Sequence, residues 1–131
     1  MMSLSSSVSR RVLVLGTLVL GLAACQTTGA TSANSAGADP LAAYKAAVPA
    51  LEQAGGGKAC VDCFLTNYGP SPFPKAFAVS PDGAYGARYK VGASMAKMRE
   101  DALASCRKKP AFNPAHDCFI FFENDEQVWK P

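Results

Sequence analysis

The sequence predicts an α+β fold: a small antiparallel sheet of about four strands in two hairpins, packed against one main helix, preceded by an N-terminal helix and clasped by a disulfide. Three observations predict it. Two stretches of short, apolar-rich segments are each folded back by a turn signal, at Ser80-Pro81-Asp82-Gly83 and at Glu123-Asn124-Asp125-Glu126. A capped helical pattern lies between them, and four of the five cysteines fall at positions 60, 63, 106 and 118.

Each element follows in order. Asp39 suits a helix cap and Pro40 the first helical position, and Leu41, Tyr44, Val48 and Leu51 recur at three- and four-residue steps. Pro49 falls inside this pattern and predicts a kink or division there, since its ring clashes with the preceding turn. Gly55-Gly56-Gly57 ends the helix, and Cys60-Val61-Asp62-Cys63 leads shortly into a connection punctuated by Pro70, Pro72 and Pro74. Lys75 to Ser80 alternates as a strand does, the Ser-Pro-Asp-Gly turn follows, and Ala84 to Lys90 resumes the extended pattern. Ser94 caps a helix from Met95 to about Lys108, with Met98, Ala102 and Cys106 on one stripe and Pro110 as its stop. Arg107, Lys108 and Lys109 lie where cations meet the negative end of the helix dipole. Cys118 to Phe122 and Gln127 to Trp129 form the second hairpin, with Asn124 or Asp125 accepting positive φ. Simple alternation puts Phe119 and Phe121 on one face and Cys118, Ile120 and Phe122 on the other. One face meets the Ser94 helix, and the first helix is left to cover the other.

Length and charge exclude several function classes. The 131 residues hold one folded domain. With 13 basic and 10 acidic side chains and no basic stripe, the chain carries no electrostatic footprint for nucleic acid.

The N-terminus is organised for export. Arg10 and Arg11 precede an uncharged apolar run, Val12 to Ala24, whose 13 residues fall short of the roughly 20 that a membrane-spanning helix needs. A basic start and a short apolar run read as a signal peptide over residues 1–24. Leu22-Ala23-Ala24-Cys25 resembles the lipobox of bacterial lipoproteins. That resemblance implies cleavage before Cys25, a diacylglyceryl group on its sulfur and acylation of the new amine. The implied partner is the membrane, through the lipid anchor, because several acyl chains on one residue hold a protein where one chain binds only reversibly. Gln26 stands where the enterobacterial sorting pattern places an inner-membrane-retaining Asp, which favours the outer membrane. Residues 25–38 then form a tether without charged or aromatic residues, about 20 Å in root-mean-square span if its 13 residues beyond Cys25 are a flexible coil. The single globular domain is expected over residues 39–131, facing the periplasm.

Within that domain, Phe77-Ala-Val-Ser-Pro-Asp-Gly83, Tyr85-Gly86, Ala102-Leu-Ala-Ser-Cys106 and Asp117-Cys118 resemble a module of small exported bacterial proteins of unassigned function, covering residues 75–129. The resemblance implies no catalytic residue.

With Cys25 lipidated, Cys60, Cys63, Cys106 and Cys118 read first as disulfides, because export exposes them to an oxidising space. The favoured pairing is Cys106 with Cys118, whose closure is worth roughly 3 kcal/mol by chain entropy, with Cys60 and Cys63 as a local pair. Crossed pairings would tie the Cys60 segment onto the module. Two alternatives use the same residues: thiol–disulfide exchange at Cys60 and Cys63, and a zinc site from Cys60, Cys63, Cys106 and either Cys118 or His116. The exchange reading needs the first thiol at a helix N-terminus, and the nearby prolines leave little room for such a helix. His116 meets Asp117 only as a sequence neighbour, and Glu123, Asp125 and Glu126 read as a solvated turn rather than a calcium site. No cofactor motif, catalytic constellation or metal-binding carboxylate cluster stands out. The expected function is that of a membrane-anchored, non-catalytic lipoprotein of the cell envelope with an envelope-protein or ligand partner; the alternatives are a redox protein and a small-ligand sensor.

Overall fold

In the computed structural model of the chain, residues 39–131 are described; the expected signal segment, the expected lipobox with Cys25 and the expected tether lie outside them. The elements are α1 (Ala42–Gln53), α2 (Lys58–Cys63) running directly into a π-helical segment (Phe64–Tyr68), β1 (Lys75–Val79), β2 (Tyr85–Tyr89), α3 (Met95–Arg107), β3 (Phe119–Glu123) and β4 (Glu126–Gln127). The sheet is antiparallel in the order β2-β1-β3-β4. The α+β architecture and both hairpins are those expected. No described helix is long and apolar enough to cross a membrane.

Every residue of β1 is buried, as befits a central strand covered on both faces. Phe77 and Val79 face α1 and the π segment, where Tyr44, Leu51, Phe64, Tyr68, Phe121 and Phe122 complete an aromatic core. Ala76 and Ala78 face α3 and pack with Met98, Ala102, Cys106 and Cys118. The two sides differ in kind. Large rings fill the first, while small side chains on the second let helix and strands approach closely. Gly86 of β2 marks the tightest point: a Cβ there would lie 2.3 Å from the Ala102 carbonyl oxygen and 2.6 Å from the Cys106 nitrogen.

Local rules account for the ends of the elements. The Ser94 side chain accepts from the Lys97 N–H and caps α3. Asp39 accepts from the Leu41 N–H in a turn before α1 rather than as the residue bordering the helix. In the first hairpin the Gly83 N–H donates to the Ser80 carbonyl, and Gly83 has φ +88. In the second, Asn124 takes the left-handed conformation with φ 50.

Four further expectations change. Helix α1 continues through Pro49 without division. Pro49 and Lys45, whose carbonyl loses its usual donor, both lie on the exposed side, so that carbonyl is not shut away from solvent. The Cys60–Cys63 segment, expected to leave little room for a helix, is itself helical as far as Tyr68. Phe64 and Tyr68 are both fully buried and stack at 5.6 Å, and the wider π turn closes with Gly69 N–H donating to the Phe64 carbonyl. In β3 the strict alternation fails. Phe77 pairs with Phe122 but Ala78 pairs with Ile120, so Phe121 is an extra residue in a β-bulge. The bulge turns Phe122 to the aromatic face with Phe119 and Phe121, leaving Ile120 and Cys118 on the α3 face.

The fourth change concerns Cys60 and Cys63, since the Cys106–Cys118 pairing is the one expected. Cys106 and Cys118 form a disulfide with 6.3 Å between their Cα atoms, tying the end of α3 to the start of β3. Cys60 and Cys63 are free thiols and form no local pair. They sit in different surroundings within one helical turn: Cys60 is 1% exposed inside the aromatic core, and Cys63 is half-buried at its edge. They also lie across the sheet from Cys106 and Cys118, so neither a crossed pairing nor a four-ligand metal site is assembled.

The close approach at Gly86 makes a sharp expectation. Gly86→Ala must push α3 away from β2 and should lower stability by about 1–3 kcal/mol, the usual cost of overpacking. Gly57→Ala, where nothing lies within 4 Å of the added atom, should change it little. Urea unfolding of the two variants measures the difference.

Candidate functional site

The most developed polar arrangement is centred on Lys75, the first residue of β1. Its side chain points to the aromatic face and the residue is only 1% exposed. Burying an ammonium requires acceptors for its three protons. They are the carbonyls of Tyr68, Gly69 and Ser71, at 3.1, 2.7 and 2.9 Å from Nζ. These carbonyls lie where the π segment ends and its backbone acceptors lack helical partners, so a cation is well placed there. The rings of Tyr44, Tyr68 and Phe73 surround the same nitrogen, with centroids 4.8, 5.0 and 5.1 Å away. Asp125 Oδ1 stands 3.8 Å off. Burial pushes the Lys75 pKa down to about 8.

The turn between β3 and β4 completes the arrangement. Asn124 and Lys75 bond twice: Lys75 N–H donates to Asn124 Oδ1, and Asn124 N–H donates to the Lys75 carbonyl. The Tyr68 hydroxyl donates to the Asn124 carbonyl, and the Tyr44 hydroxyl spends its one proton on Asp125, with the Asn124 carbonyl 3.3 Å away. Burial, followed by the charge of Glu123, raises the Tyr68 pKa and keeps its hydroxyl a donor.

Above Lys75 opens a cleft of about 520 Å³. Pro40, Leu41 and Tyr44 form one wall, and Pro70, Pro72 and Phe73 the other. Phe73 is 50% exposed. The cleft therefore offers apolar walls, a cation sealed into the floor and a carboxylate at the rim. It can hold a small apolar body. Its floor is a poor nucleophile or base, because the Lys75 protons are already committed to three carbonyls.

The other residues singled out in the sequence take separate places. Burial, and secondarily the neighbouring Cys63, pushes the Cys60 thiol up to about 12. Cys63 lies near Asn67, whose Nδ2 is 3.8 Å from its sulfur. An exchange motif needs an accessible first thiol with a lowered pKa, and Cys60 has the opposite properties. His116 pairs through Nδ1 with Asp82, at 2.9 Å, rather than with Asp117. Asp117 instead holds Arg107 through both oxygens, and this bond keeps its carboxyl below the usual range. The acidic turn is divided, not merely solvated: Glu123 binds Arg99 on the α3 face and Asp125 joins Tyr44 on the other. Among the described residues no group of three His, Cys, Asp or Glu side chains could hold a metal ion.

None of Lys75, Tyr44, Tyr68 and Asn124 is assigned to a site by the sequence, where Tyr44 reads as a core position of the first helix and Asn124 as a turn residue. The available signal was indirect. Two hairpins that join into one sheet leave one strand of each inside it, and a lysine buried in such a strand must be partnered.

Comparison of the chain with family models, with curated proteins and with solved structures gives no match. The functional reading therefore stands on the chain's own residues.

Two measurements test the site. For Lys75, a folded pKa near 8 against an ordinary 10.5 means that the unfolded chain binds more protons between those values. Stability then rises with pH through that window. Urea midpoints from pH 7 to about 9, below the range in which the buried Cys60 thiol acts in the opposite sense, should show this rise in the native sequence and not in Lys75→Met. For the thiols, maleimide under native conditions should label Cys63 and spare Cys60, and both should react in denaturant. Peptide mass mapping reads the outcome, and fast native labelling of Cys60 would contradict its burial.

Proposed function

We propose that this chain is a lipid-anchored lipoprotein of the bacterial cell envelope, whose domain is a non-catalytic binding module. The observation that carries the proposal is Leu22-Ala23-Ala24-Cys25, placed directly after a basic start and a 13-residue apolar run. The anchor residue is Cys25, the domain faces the periplasm, and Gln26 favours the outer membrane. The membrane is then a partner through the lipid alone, and the domain is left to bind something else.

The cleft above Lys75 supports the binding part of this reading. Its wall includes Pro40 and Leu41, where the described domain begins, so a ligand there would sit beside the point at which the tether arrives. Apolar walls with few directional polar groups suit a small, mostly apolar ligand. This is also how a small-ligand sensor would be built. The redox alternative draws no support from the thiols, since the first cysteine is buried and its ionisation suppressed.

Metabolic labelling tests the anchor. Cells fed a traceable fatty acid should label the native chain, and Cys25→Ser should lose the label completely, because serine offers no thiolate to a lipid transferase. The unlipidated chain should also leave the membrane fraction. Persistent labelling would place the anchor elsewhere and overturn the reading.

A further inference from the structure

The edge of β2 combines two features, outward-facing backbone groups and cations without ion-pair partners. Ser80 N–H donates to the Ala84 carbonyl at one end of the first hairpin, and Lys90 N–H donates to the Pro74 carbonyl at the other. With Ala78 opposite Gly86 and Ala76 opposite Arg88, alternate residues of the strand turn their backbone groups toward β1. Tyr85, Ala87 and Tyr89 therefore direct their N–H and C=O groups away from the sheet, where the Ala87 carbonyl accepts from the Arg88 guanidinium at 2.7 Å, a bond that an added strand would exchange for its own. The opposite edge is closed differently. Strand β4 has two residues, and beyond it the Phe121 carbonyl accepts from both Val128 and Trp129. Among the described residues, only β2 presents a full-length edge.

The charges follow the same geography. Six of the eleven Lys and Arg side chains in residues 39–131 stand in ion pairs. Arg88, Lys90, Lys108, Lys109 and Lys130 have no such partner among the described residues. Four of these five bracket β2. Lys109 lies over the Tyr85 ring at 5.0 Å, with Lys108 beside it in sequence, and Arg88 and Lys90 flank Tyr89 at the other end. Tyr89 and Val91, 53% and 72% exposed, add apolar surface there.

We propose that the β2 edge is a docking strand for an extended acidic segment of another protein, which adds to the sheet as a fifth strand. Backbone bonds from Tyr85, Ala87 and Tyr89 supply the pairing, and the bracketing cations select acidic side chains. A second copy of this chain fits poorly, because pairing two β2 edges gathers the same unpaired cations against one another. The proposal is independent of the cleft, which lies beyond β1 at the π segment and the β3–β4 turn.

The test uses the full chain in detergent and a fluorescent octapeptide alternating Glu and Val, with a Lys–Val octapeptide as control. Anisotropy should report binding of the acidic peptide and none of the basic one. Arg88→Glu combined with Lys90→Glu should weaken binding by roughly tenfold or more, equivalent to about 1.4 kcal/mol. Ala87→Pro removes an outward N–H at an edge position, where proline is tolerated, and should abolish binding. Amide exchange on the unaltered chain, which does not depend on that variant folding, should show new protection at Ala87 and Tyr89 with peptide bound. The proposal is overturned if the acidic peptide fails to bind, if both peptides bind alike, or if binding leaves those amides unprotected. Self-association of the chain that Ala87→Pro abolishes would overturn it in favour of a second copy.

Discussion

An ammonium group shut away from water must be given oxygen atoms, and the placement of Lys75 makes three segments of chain supply them or frame them. The end of the π segment turns its carbonyls onto Nζ. Helix α1 brings the Tyr44 ring and hydroxyl, and the β3–β4 turn brings Asn124 and Asp125. Removing the lysine head would leave three carbonyls without their donor, a larger loss than the bonds alone, since buried acceptors without partners keep their full desolvation cost. The same requirement shapes the cleft. Its floor is fixed because the cation is fixed, and the proline-rich connection must pass over it to deliver Ser71 and then enter β1.

The sheet separates two styles of packing. On the aromatic side, Phe64 lies 5.0–5.8 Å from Tyr44, Tyr68, Phe77, Phe121 and Phe122, mostly edge to face. Such rings fill volume without requiring close backbone contact. On the α3 side, Ala76, Ala78, Gly86 and Ala102 provide the opposite solution, in which backbones nearly touch and volume is scarce. The disulfide sits on this thinner side, where side chains alone bury the least apolar surface. Arg99 with Glu123 and Arg107 with Asp117 add exposed ion pairs, which contribute modestly in water.

Features governed by local chemistry were readable in the sequence. The Ser94 cap, the Ser-Pro-Asp-Gly turn, the positive φ at Asn124 and the stop at Pro110 each depend on a few adjacent residues, and the hairpins and α3 follow from them. The Cys106–Cys118 bond was readable because the helix end and the following strand are short neighbours. Other features depend on partners distant in the chain. The bulge at Phe121 is a one-residue slip against β1, and it alone decides that Phe122 faces Tyr44 rather than α3. The π segment is set by where Phe64 and Tyr68 must stack, not by helix propensity. Lys75 carried no local mark of its role, since its acceptors come from a loop and its rings from a separate helix. Pro49 misled in the other direction: its local cost is real, but the exposed side of α1 absorbs it.

The division of the cysteines by the sheet has a bearing on how the chain reaches its oxidised form. In an unfolded chain all three pairings of the four thiols are open, and the nearest residues, Cys60 and Cys63, meet most often. Once β1 lies between α3 and the aromatic core, Cys60 and Cys63 can no longer attack the Cys106–Cys118 bond without the sheet opening first. The strand then works as a partition against disulfide scrambling. A chain that folds before it is oxidised is directed to one outcome, whereas one oxidised too early must be reduced again before its sheet can close.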